Sequence, residues 1–157
     1  MTSSSDDPQV RGAPILMTAA EFRVIFQATK EAHSLPPAIL SRLSWDNTDV
    51  SAIIDFSRSI QALTDRAELV RIWIGERTEP GMFAAIPKVM DIKVDGATTR
   101  AIVADLSGHL GYAWNGLIES VVTSLGPREL FLRTGYSPVE TRAAASRLPV
   151  VDFGAAN

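Results

Sequence analysis

Two histidines and eighteen carboxylates, with no cysteine, are the reactive material this 157-residue chain offers. The lack of cysteine removes thiolate nucleophiles, thiolate zinc sites and disulfide frameworks together. His33 falls at a predicted helix end, where an imidazolium interacts favourably with the helix dipole. His109 falls in the first turn of another predicted helix. A general base must lie within hydrogen-bond reach of the proton it takes, and nothing in the spacing delivers a nucleophile to either ring. No histidine spacing suggests a metal site.

Among the carboxylates, Asp46 with Asp49 and Asp91 with Asp95 could be paired as acid and base. The first pair frames a helix start, where acidic side chains cap and complement the dipole. The second lies on the polar face of an alternating strand. Ser107-Gly108-His109-Leu110-Gly111 has the outline of a phosphate cradle between strand and helix. It lacks the third glycine, the lysine and the parallel βαβ setting of such loops. Small residues that let a helix approach a sheet account for it more simply. These residues predict no enzyme, cofactor or metal.

Binding chemistry is better represented. Trp73 and Arg71 share one face of an alternating strand, opposite Val70, Ile72 and Ile74. Tryptophan and arginine are the types most enriched at interface hot spots. The competing account is that helices cover this face too and Trp73 is core. A second candidate is a helix-turn-helix-like segment: residues 128–133, a turn at Gly135, then a capped helix carrying Arg142 and Arg147. Its reading helix offers mostly Ala143, Ala144 and Ala145, and the chain carries 15 basic against 18 acidic residues. A nucleic-acid reader normally shows a basic footprint, so nucleic acid is not the expected partner.

The elements that must position these residues follow from periodicity. Residues 1–13 are polar, carry Asp6 and Asp7, and read as a disordered lead-in rather than a signal peptide. No run approaches the roughly 18 apolar residues of a membrane span. Residues 14–157 are expected to form one domain. Ile15-Leu16-Met17 reads as a short strand, and Thr18 with Glu21 forms a capping box for a helix ending near His33, before Pro36-Pro37. A second helix begins near Thr48, with Val50, Ile53, Ile54, Ser57 and Ile60 on one face. Period-two alternation then predicts strands at 69–74, 82–86, 91–95 and 100–104, with Asp95-Gly96 as a hairpin turn. A long apolar stripe from Leu110 to Leu125 predicts a helix stopped by Gly126-Pro127. A short helix follows at 128–133, and Ser137-Pro138-Val139-Glu140 caps another. Residues 150–153 read as a last strand. The expected fold is α+β: an antiparallel four- to five-stranded meander sheet against flanking helices, whose open face carries Arg71, Trp73, Lys93 and Arg100.

Four stretches together resemble one half of an EspG-type chaperone of the type VII (ESX) secretion systems of actinobacteria. They are Ile15-Leu16-Met17-Thr18-Ala19-Ala20-Glu21-Phe22, the strands of 69–105 with the polar turn at 76–81, Val121-Val122-Thr123-Ser124-Leu125-Gly126-Pro127, and Gly135-Tyr136-Ser137-Pro138 with the helix and Asp152-Phe153-Gly154 that follow. The resemblance implies a non-catalytic cytoplasmic chaperone that holds the helical tip of a PE–PPE-type secretion substrate. It implies partner-binding residues at Arg71, Trp73, Arg77, Glu79 and Met82. Family members usually contain two such halves, so a single half implies a homodimer. Two other readings remain beside it. One is a DNA-binding regulator that gathers Arg128, Arg133, Arg142 and Arg147 on one surface. The other is a structural component of a larger assembly such as a virion.

Overall fold

The computed structural model describes residues 13–75 and 86–150. The expected strands at 82–86 and 150–153 fall largely outside those residues; Ile86 and Val150 lie in no strand.

Strand β1 (Ala13–Thr18) runs directly into helix α1 (Ala19–Thr29). The expected capping box forms: the Glu21 amide donates to the Thr18 hydroxyl at 3.0 Å, and the Thr18 amide donates to the Glu21 carboxylate at 2.9 Å. A 3-10 turn at Lys30–Ser34 continues α1 and ends beside His33, where the stop is expected. The stretch of unclear period contains a short helix, α2 (Pro37–Arg42), opened by proline at its first position. Helix α3 (Asn47–Gln61) starts from an Asp46 cap, and Asp49 returns the hydrogen bond.

Strands β2 (Leu69–Ile74), β3 (Lys88–Val94) and β4 (Ala97–Leu106) complete the sheet with β1. Asp95 and Gly96 sit at φ 51° and 82°, the left-handed pair that joins β3 to β4 in a two-residue hairpin. The helices that follow are a single turn α4 (Gly108–Gly111), then α5 (Trp114–Thr134) and α6 (Pro138–Ala145). Helix α5 is broken at Gly126, whose φ of 79° and ψ of 166° interrupt the helical path ahead of Pro127. It is therefore two helices in succession, as the Gly-Pro signal predicts. Ser137 and Glu140 form the expected box at the start of α6.

The sheet corrects the expected meander. Its order is β1-β2-β4-β3, with β1 antiparallel to β2, β2 parallel to β4, and β4 antiparallel to β3. The sheet is mixed. β4 enters the centre because its second half alternates between fully and partly buried, whereas β3 is exposed at Lys88, Met90, Asp91 and Lys93. A strand with charges at both margins and Pro87 just before it suits an edge. Pro14 likewise sits on the other edge, in β1.

One face of the sheet makes the core. Ile15, Met17, Val70, Ile72, Ile74, Ile102, Ala104 and Leu106 join the apolar stripes of α1, α3 and α5 in one cluster. At its centre Trp114 is fully buried, meeting Phe22 and Phe56 edge-on at centroid distances of 6.3 and 6.1 Å. Its indole N–H donates to the Thr29 hydroxyl at 2.9 Å, so the polar edge of the ring is satisfied inside the core.

Candidate protein-binding face

A strand's side chains alternate between two surfaces, and directly paired residues share one. On the surface opposite the core, the register aligns Leu16, Arg71, Val103 and Lys88 in one row. Thr18, Leu69, Ala101 and Met90 make the next. Pro14, Trp73 and Asp105 make a third. None of these side chains belongs to the cluster beneath the helices. Leu16 is 40% exposed and Met90 44%, large apolar groups left at the surface on neighbouring rows. Ala101 and Ile92 are buried without joining the core, so the outward face has a dry patch of its own.

Arg71 and Trp73 stand together on this face, as their spacing predicts. The guanidinium carbon lies 5.8 Å from the centroid of the indole, within cation–π range. Arg77, Glu79 and Met82 lie outside the described residues. Lys93 and Arg100 are corrected: Arg100 pairs with Asp91 and Lys93 with Thr98, on the same face as the Ile102–Val89 pair and therefore on the core side. They escape burial because they sit beyond the reach of the helices, where Arg100 bridges to Asp91 at 3.3 Å. What the sequence reading missed is that Leu16 and Val103 flank Arg71, with Met90 one row away on β3. The alternation in each strand was visible, but their adjacency depends on pairings that no local signal reports.

His33 is exposed at the end of its 3-10 turn. His109 Nε2 lies 3.1 Å from the Asp49 carboxylate, and the His109 carbonyl accepts the Trp45 indole N–H at 3.1 Å. This contact locks the α4 turn to the start of α3 across sixty residues, and the Asp49 oxygens are shared between it and the capping box. Gly111 is a packing glycine. A Cβ on Gly111 would come within 2.7 Å of Ile74 Cγ2, and Gly108 is buried beside Gly75. No group of three or more His, Asp or Glu side chains among the described residues could hold a metal. No helix of the described residues is long and apolar enough to cross a membrane.

The arginines of the helix-turn-helix-like segment do not form one cationic surface. Arg142 grips Glu119 with two hydrogen bonds, at 3.0 and 2.9 Å. Arg147 bonds Glu21 at 3.1 Å, and Arg133 bonds Glu129 and the buried Glu31. Only Arg128 of the four stays outside these pairs.

Two of these bridges set an acid response. Partial burial pushes the Glu21 carboxyl up, but the Thr18 amide and Arg147 outweigh it and hold it below the ordinary value of 4.5. Arg142 holds Glu119 below the same value, against a smaller burial effect. Carboxyls depressed in the folded state contribute stability above the unfolded value, and that contribution is lost as pH falls through the folded one. The bridges tie α6 and the residues just after it to the rest of the molecule. The melting temperature is therefore expected to fall below about pH 4.5. Glu21→Gln and Glu119→Gln together should lower it at pH 7 and flatten its acid slope. An unchanged slope in the double variant would show that the bridges do not carry the effect.

No protein-family model matches the chain, and no curated protein or solved structure matches it.

Proposed function

We propose that this chain is a non-catalytic protein-binding adaptor that docks another protein on the outward face of its sheet. The observation that carries this reading is the one-sided placement of the helices. They cover the Ile15–Ile72–Ala104 side, while Leu16, Leu69, Val103 and Met90 line the other without joining the core. Apolar surface gathered around an arginine and a tryptophan is the composition of an interface centre. The pairing of Arg133, Arg142 and Arg147 with carboxylates favours a protein over a nucleic acid as partner.

The finer form of the proposal is an EspG-like cytoplasmic chaperone for a PE–PPE-type helical guest, working as a homodimer. What supports it is the pair of stretches that fold as a strand entering a capped helix and as a Ser-Pro capped α6. The meander, a third stretch, is a mixed sheet and lends it nothing.

Photo-crosslinking in the native host tests the docking reading. A benzoylphenylalanine at Leu16 or Met90 should give one discrete product, and the same group at Ser51 or Arg58 on the exposed side of α3 should not. Equal labelling from both sets, or none from Leu16 and Met90, removes the outward face as the docking surface. A sedimentation mass of a monomer at high concentration removes the homodimer.

A further inference from the structure

We infer that Arg71 is a recognition point for a carboxylate, so that the outward face takes an apolar protein segment carrying one Asp or Glu side chain. The inference rests on the docking reading and names the chemistry of its partner.

Arginines elsewhere in the described residues follow a simple division. Arg23, Arg58, Arg100, Arg133, Arg142 and Arg147 each bridge a carboxylate. Arg42, Arg66 and Arg128 form no bridge but are exposed, where water solvates the charge. Arg71 belongs to neither group. It is half-buried, bridges no carboxylate among the described residues, and has a Nε that is buried without a hydrogen-bond acceptor. Asp105, one row away on β4, does not bridge it either.

The position of the guanidinium is set before any partner arrives. Its stem lies between Leu16 and Val103 in the same row, and its head lies over the Trp73 ring, 5.8 Å from the centroid. Burial of Nε leaves the two terminal nitrogens as the atoms that can still reach an acceptor. A planar fork held in place this way loses little freedom on binding and donates to both oxygens of a carboxylate. A wholly apolar partner laid over the face would strip water from the charge and give nothing back, which is costly. Lys88, at the end of the row, adds a second positive charge. The face is therefore complementary to an acidic group set among apolar ones.

A library of random twelve-residue peptides displayed on phage and selected against the full chain supplies the probe. Enriched sequences should carry one Asp or Glu within an apolar run. Synthetic versions with that residue changed to Gln or Asn should bind the wild-type chain roughly tenfold more weakly or worse. The same change should make no difference on Arg71→Gln. If acidic and amide peptides bind equally while Leu16→Asp/Met90→Asp abolishes both, the docking face stands and the role of Arg71 falls. If no selected peptide depends on Leu16 and Met90, the docking reading falls and this inference falls with it. Should Arg71→Gln fail to fold, the paired peptides on the wild-type chain decide the matter alone.

Discussion

Replacing Trp114 by alanine is expected to cost about 3–5 kcal/mol of folding stability, the range for a large aromatic truncated inside a core. A domain of this size is held by only about 5–15 kcal/mol, so the variant should be marginal at physiological temperature. The effect is large because three side chains from two other helices converge on the one ring. Phe22 of α1 and Phe56 of α3 meet it edge-on, and Thr29 takes its N–H. Urea denaturation followed by far-ultraviolet dichroism checks the figure. Thr29→Val gives the polar share separately. It keeps the volume but leaves a buried donor without an acceptor, and should cost about 1–3 kcal/mol. A loss below about 1 kcal/mol for Trp114→Ala would mean that the helices do not meet on this side chain, and the layer geometry would have to be redrawn.

Gly111→Ala should cost about 1–3 kcal/mol, the usual penalty of overpacking a filled interior. An added methyl would lie 2.5 Å from Ile74 Cδ1 and 2.7 Å from Cγ2. Ile74 is itself fully buried at the end of β2, so it cannot swing away into solvent. Relief should come only from making room. The double variant Gly111→Ala/Ile74→Ala is expected to be more stable than the sum of its two single losses, with a coupling of about 0.5–3 kcal/mol. Strict additivity would show that α4 does not press on β2. A phosphate site at the same glycines predicts something different, namely loss of anion binding with little change in stability. The two readings of the Ser107–Gly111 segment are thus separated by one chemical denaturation curve and one binding titration.

The paired helices also bear on the proposed binding role. Because the bridges of Glu119 and Glu21 hold α6 and the residues just after it, and the contact of His109 with Asp49 holds α4 to α3, the helical layer is tied to itself at several points. The sheet's outward rows take no part in those ties. A partner on that face would thus meet a surface backed by a fixed core, which lowers the cost of ordering on binding.

Local chemistry was legible in the residues alone wherever a few neighbours decide the outcome. Thr18 with Glu21 and Ser137 with Glu140 announced two helix starts, Asp95-Gly96 announced a hairpin, and Gly126-Pro127 announced the break in α5. The alternation of Val70, Ile72 and Ile74 against Arg71 and Trp73 likewise told which β2 side chains share a face. Each of these depends on torsions or hydrogen bonds spanning at most four residues, and the composition of those residues is enough to choose among them. Which strands lie side by side was decided only in three dimensions. The parallel pairing of β2 with β4 competes with a meander that has equally good turns, and the choice falls to burial: the apolar β4 takes the centre and the charged β3 takes the edge. The meeting of Leu16, Arg71 and Val103, like that of Asp49 and His109, follows from this choice between distant segments. The free energy of such contacts appears only when the whole sheet and its helices close together.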